Sequence, residues 1–211
     1  NGTRSCNFGR LACFSTQTYK HMNSGEGGFL TTDDADLAAK ATILSGSYMM
    51  YARHGAGPKV DAFRQARYQM PNCSARMDSL RAAILRPQLA QLNANVEHWN
   101  ARYRVVEARL GRHPHIAAIS LPEKELHVGS SIQFRLPDFT TAQCRALLNA
   151  AKARGVELKW FGAVEPVGFT SAQTDRILAT LFDMRLPLTF SEADCALIAD
   201  LICDAASEVA I

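Results

Sequence analysis

The chain has 211 residues, 47% of them hydrophobic and 20% charged, with a formal net charge of +3. That balance excludes a disordered polymer, and the length supports one large domain or two small ones with a real core. No run of about 18 consecutive apolar residues marks a membrane span, and a pI near 8.6 is too mild to point to nucleic acid.

The sequence starts at Asn1 without a basic-then-apolar leader, so a fragment or processed piece is expected. Six cysteines stand at 6, 13, 73, 144, 195 and 203, with no CxxC pair and no histidine at zinc-finger spacing. Cys13, Cys195 and Cys203 lie in apolar runs, where a free thiol acts as a small hydrophobe. A reduced, cytoplasmic protein is the expectation. Asn72-Cys73-Ser74 matches the glycosylation triplet, which carries no weight without a secretory signal.

In chain order, Leu11 to Ser15 reads as a short buried strand. Phe29 to Thr32 reads as a second, entered through Gly27-Gly28. Asp33 and Asp34 open a helix to about Leu44, acidic residues being favourable at a helix N-terminus. Ser45 to Pro71 is weakly patterned and reads as a long connection with short helical pieces. From Leu85 the apolar residues fall at 85, 89, 92, 96, 99, 103, 106 and 110, one stripe on a helix about 39 Å long. Pro87 is expected to kink it away from a shorter helix at Met77 to Leu85. Such a helix runs between two domains or forms a homodimeric coiled coil, and fewer than four heptads weaken the second reading.

After Pro114 strands and helices alternate. Ser131 to Leu136 puts Ile132, Phe134 and Leu136 on one face of a strand. Thr140 to Gln143 is a capping box opening a helix to about Ala153, and Gly155 stops it. Val156 to Phe161 reads as a strand, Thr170 to Gln173 as a helix start, and Arg185 to Leu188 as a short extended piece. Ser191 to Asp194 caps a last helix expected to bury Leu197, Ile198, Leu201, Ile202, Ala205 and Val209. Segment 115–211 reads as a compact α+β unit.

The chemistry concentrates in residues 13–28, where a strand ends in the Ser15 hydroxyl. Lys20 follows five residues later in a polar turn, before Gly25-Glu26-Gly27-Gly28 and the second strand. An amine fixed beyond a strand end, beside a hydroxyl able to hold an anion, suits Schiff-base chemistry with a phosphorylated cofactor. By pattern alone, a loop lysine is usually solvated surface.

The stretch resembles the pyridoxal-phosphate (PLP) dependent sugar aminotransferases of the DegT/StrS type, of fold type I. Those proteins carry a strand ending in Phe-Ser, then Lys, then a Thr-Gly-Glu-Gly-Gly-like turn. The match extends through Leu30 to Asp33, Ala52 to Gly55, Arg76-Met77, Arg81 to Ala83 and Gln88-Leu89, so it covers roughly residues 9–110. Gly155-Val156-Glu157 continues it more loosely.

The resemblance implies an α/β fold. Residues 1–95 would supply late strands of the PLP-binding large domain, and 96–211 a small C-terminal α+β domain, joined by the helix at about 85–110. It implies that Lys20 forms the imine with PLP and later moves the proton between substrate carbon and cofactor. It implies that Ser15 binds the cofactor phosphate. Ser74 takes the position where the family usually has an Asn reaching the neighbouring subunit's PLP phosphate. Serine reaches less far, and Asn72 is the possible substitute.

The family's Gly-Thr phosphate loop, stacking aromatic and ring-nitrogen Asp precede this segment, and residues 1–10 hold none of them. The chain is therefore read as the C-terminal part of a longer enzyme, inactive by itself. The implied reaction moves an amino group from an amino acid such as glutamate to a keto-sugar or similar ketone, in a homodimer. The alternatives are a PLP-dependent sugar dehydratase, whose relatives replace the lysine by His, and a non-catalytic PLP-binding or regulatory protein.

Outside this stretch the functional reading is weaker. His21 reads as loop surface, His54 as either pocket lining or a turn, and Arg135 as a rim charge. Trp160-Phe161-Gly162 reads as core packing. His113 and His115 lack a third ligand, so no metal is assigned.

Overall fold

The computed structural model describes residues 2, 4–46, 53, 55, 57–119, 125–164 and 171–210. These gather into two compact units, residues 1–92 and 93–211.

In the first unit β1 (Ala12–Ser15) pairs antiparallel with β2 (Gly28–Thr31), Ser15 lying opposite Gly28. Phe14 and Phe29 stack across the ribbon with ring centroids 4.8 Å apart. The first strand is half-exposed rather than buried, and Cys13 is exposed with it. Alternation explains this: Ala12, Phe14 and Thr16 share the covered face, and Cys13 and Ser15 the open one.

α1 (Ala35–Ser45) starts at Asp34, whose carboxylate accepts from the amides of Asp36 and Leu37. Arg10, the Asp36 and Leu37 amides beside it hold that carboxyl below the usual carboxylate range, the Arg10 hydrogen bond contributing most. The helix ends on Gly46 in the left-handed region (φ 108°). A 3-10 turn and α2 (Phe63–Ala66) follow, and Ala39, Ile43, Phe63 and Ala66 form a small core.

α3 (Ser79–Leu110) is one helix of 32 residues, about 48 Å long, with Pro87 inside it. The separate helix expected before Pro87 does not exist. Proline removes one backbone donor, and the ladder continues on either side. The apolar stripe divides. Trp99, Tyr103, Val106 and Leu110 are buried in the second unit, whereas Leu89 is 62% exposed.

The second unit is a four-stranded antiparallel sheet in the order β3 (Ala117–Ala118), β4 (Ser131–Arg135), β6 (Leu181–Arg185), β5 (Lys159–Trp160). Its helices are α4 (Thr141–Ala153), α5 (Ala172–Leu178) and α6 (Glu192–Val209). Both expected capping boxes form, Thr140 with Gln143 and Ser191 with Asp194. Gly155 has φ 81°, as a residue just past a helix end requires.

Strand β6 occupies the residues just before the expected extended piece at 185–188, and it is central. Phe182 and Met184 point into the core and pair with Phe134 and Ile132. The expected strand 156–161 shrinks to Lys159–Trp160, followed by a 3-10 turn. α6 buries Cys195, Ala199, Ile202, Ala205 and Ala206, while Leu197 is 59% exposed. α6 packs against α4 with the face that carries Cys195, Ala199, Ile202 and Ala206, which is rotated away from Leu197. Thr170 lies outside the described residues, and Ser171 is the residue that caps α5.

Candidate active site

The site is built on the turn between β1 and β2. Thr16, fully buried, is its hub. Its amide donates to the Gly27 carbonyl at 2.9 Å, and its carbonyl accepts from the Ser24 amide at 2.9 Å. Ser24 Oγ lies 3.1 Å from both Thr16 Oγ1 and the Glu26 carbonyl. Thr18 Oγ1 donates to the Gly25 carbonyl. These bonds close residues 16–27 into a compact loop, with Gly25 (φ 85°) and Gly27 (φ 123°) in conformations that favour glycine.

Ser15 and Lys20 both hang on Gln17. The Gln17 amide donates to Ser15 Oγ at 3.3 Å, and the Gln17 carbonyl accepts from the Lys20 amide at 3.0 Å. Ser15 Oγ accepts that bond and keeps its proton for another acceptor. Lys20 is exposed, and among the described residues its ammonium has no ion pair or side-chain hydrogen bond. The loop thus offers an uncommitted amine and a hydroxyl donor from one turn.

Ser74 sits on a second segment of the same unit. Its φ of 49° makes it the one non-glycine residue with positive φ among the described residues. Asn72 Oδ1 accepts from the Ser74 amide at 2.9 Å and lies 3.4 Å from its hydroxyl. Asn72 is therefore occupied in shaping the Ser74 backbone. The Cys73 amide donates to the Leu44 carbonyl, and Arg76 donates to the Gly46 carbonyl at 2.5 Å, tying the segment to the end of α1. The Met77 methyl stands 3.2 Å from where a Gly27 side chain would begin, so this segment reaches the glycine turn.

Other residues take different roles. Arg135 Nε donates to Thr180 Oγ1, and Trp160 is core, its indole donating to the Ala179 carbonyl at 2.9 Å. His113 Nε2 contacts Ser207 Oγ at 2.9 Å and its Nδ1 accepts from the His115 amide, so both ring nitrogens are engaged. Burial, with a smaller effect from His115, pulls its pKa down. No group of three metal-ligating side chains occurs among the described residues. Burial pushes the Cys144 thiol up to about 11 and raises Cys195 and Cys203, so these thiols are held neutral. His21 is exposed, and His54 lies outside the described residues. Among the described residues, no helix is long and apolar enough to cross a membrane.

Thr16 was hidden in the sequence beside Ser15, though strand parity with Ala12 and Phe14 was the available signal.

The family model of the DegT/DnrJ/EryC1/StrS aminotransferases matches residues 1–175. The chain belongs to that family, whose cofactor is pyridoxal phosphate. It is 38% identical over 125 residues to GDP-perosamine synthase of Caulobacter vibrioides, covering 55% of this chain and 30% of that one. In fold it is similar to the aminotransferase TlmJ of Streptoalloteichus hindustanus, with TM-score 0.75 and 18% identity over 100% of this chain and 56% of that one. It is also similar to the GDP-4-keto-6-deoxy-D-mannose-3-dehydratase of E. coli, with TM-score 0.69 and 14% identity, covering 96% and 56%. Fold alone therefore does not separate amino transfer from dehydration. The chain spans between 30% and 38% of the curated relatives it matches.

Proposed function

We propose that this chain is part of a PLP-dependent aminotransferase that moves an amino group from an amino acid such as glutamate to a keto-sugar or similar ketone. The observation that carries the reading is the β1–β2 loop, which fixes a hydroxyl donor and an uncommitted lysine on the Gln17 peptide. That donor set fits the cofactor: an amine for its aldehyde and a proton donor for its phosphate. Bound PLP supplies an electron-withdrawing ring that stabilises negative charge on the substrate carbon next to the transferred nitrogen.

The chain's own residues do the rest. Ser15 donates to the phosphate and orients the cofactor. Lys20 would hold the cofactor through its aldehyde carbon, and its Nζ, when free, would take and return the proton at the substrate carbon. Ser74 presents a short hydroxyl at the position of the family's Asn, and in a homodimer it would face the neighbouring site. In this reading residues 1–95 belong to the cofactor-binding domain and 96–211 to a small C-terminal domain.

Lysine at position 20 favours transfer over dehydration. Residues 1–10 contain no carboxylate to pair with a ring nitrogen, so residues 1–211 by themselves are expected to lack transferase activity. The test is Lys20→Ala in the intact protein, which should abolish transfer from glutamate while leaving the fold unchanged. Lys20→Arg should not rescue, because a guanidinium stays protonated. Normal turnover in Lys20→Ala would overturn the assignment, and loss of water from the sugar with no nitrogen retained in the sugar product would point to the dehydratase.

A further inference from the structure

We propose that Gln88 is the positioning residue for Lys20, acting through the backbone of Asn23; the inference rests on the cofactor reading above. The Asn23 amide donates to Gln88 Oε1 at 2.9 Å, and Gln88 Nε2 donates back to the Asn23 carbonyl at 2.7 Å. The two bonds run in opposite senses, so only one orientation of the carboxamide satisfies both. The second Nε2 proton goes to the Ile84 carbonyl, 3.0 Å away and one turn back along α3. Gln88 is thus anchored to its own helix and clamps the loop in both directions.

The clamp extends the tied base of the loop toward Lys20. Thr16, Ser24 and Gly27 tie its base together. Asn23 lies one residue from that base and three from Lys20. Lys20 itself has no side-chain partner among the described residues, and two of the peptide groups that hold its stretch of chain are Gln17 before it and Asn23 after it. Gln88 belongs to neither hydrophobic core. Its loss should therefore loosen the loop without unfolding the unit.

The test uses the intact protein and four variants, Lys20→Ala among them. Gln88→Met keeps the length and helix preference of the side chain and removes both bonds to Asn23, together with the anchor to Ile84. Gln88→Glu keeps an acceptor for the Asn23 amide but sets a carboxylate against the Asn23 carbonyl. Asn23→Ala leaves the clamp whole, because the clamp uses only backbone groups. Two quantities are read besides turnover: hydrogen exchange of the peptide 17–24 without cofactor, and the rate at which Lys20 becomes linked to added PLP, trapped with borohydride and counted by mass.

Two lost hydrogen bonds correspond to roughly tenfold. Gln88→Met should speed exchange and slow linkage by about that factor while the protein stays folded under assay conditions. Gln88→Glu should fall between it and the wild type, and Asn23→Ala should match the wild type. Wild-type exchange and linkage in Gln88→Met would overturn the proposal. So would an Asn23→Ala effect equal to that of Gln88→Met, or linkage in Gln88→Met slowed no further than its loss of folded protein accounts for, which would mark a merely structural role. If Lys20→Ala still formed the adduct at the normal rate, the cofactor reading would fall as well. A silent Gln88→Met beside a dead Lys20→Ala would remove this inference alone.

Discussion

Gly28→Ala should damage cofactor binding far more than its single methyl group suggests. A Cβ at Gly28 would stand 2.6 Å from the Phe14 carbonyl oxygen and 3.8 Å from Ser15 Cα. An ordinary carbon–oxygen contact is about 3.3 Å or more, so the strands must part by roughly 0.7 Å. Both clashing groups are backbone, and no side-chain rotamer relieves them. Overpacking of this kind costs about 1–3 kcal/mol. The displaced peptide joins Phe14 to Ser15, so the hydroxyl moves with it. Losing its bond to a charged phosphate would weaken PLP binding by about 1.5–3 kcal/mol, on the order of ten- to a hundred-fold. Gly25→Ala is the control. It has φ 85° and no atom within 4 Å of its would-be Cβ, so it pays only the left-handed strain of about 1–2 kcal/mol. The two variants should therefore show similar losses in urea unfolding and very different PLP titrations. Wild-type PLP affinity in Gly28→Ala, or an equal loss in Gly25→Ala, would refute the reasoning.

Ser15→Ala should weaken PLP binding roughly ten- to a hundred-fold in a cofactor titration, with a smaller change in turnover once PLP saturates. Ser74→Gly and Ser74→Asn should be neutral or stabilising in urea unfolding, whereas Ser74→Val should cost about 1–2 kcal/mol, because its backbone sits at φ 49°. Ser191→Ala should cost about 1 kcal/mol by removing the cap of α6. The Asp194 carboxyl is held below the usual range by the Ser191 hydroxyl and then its amide. Its contribution is therefore present at neutral pH and lost as pH falls from about 3.9 through the lower folded value. An acid titration of unfolding should show that loss in the wild type and less of it in Ser191→Ala.

The parts of the fold legible in the sequence were those fixed by neighbours in the chain. The capping boxes at Thr140 and Ser191, the Asp34 cap and the Gly155 stop are contacts between residues a few positions apart. β6 was not legible, because Leu181 to Arg185 follows α5 without a glycine or proline. Only pairing with β4 and β5 makes it a strand. Pro87 misled in the opposite direction, since a proline that breaks an isolated helix is carried inside a long one. At the site, Ser15 and Lys20 stood out by spacing. Thr16 and Gln88 did not, because their importance lies in bonds to backbone groups, in the case of Gln88 across 65 residues.

Borohydride reduction of the intact protein with PLP, followed by digestion and mass mapping of all lysines, tests directly whether Lys20 holds the cofactor. One PLP-bearing peptide is expected, containing Lys20, that disappears in Lys20→Ala and fades in Ser15→Ala at limiting PLP. Stoichiometric label on Lys40, Lys59 or another lysine, with Lys20 unmodified, would contradict it.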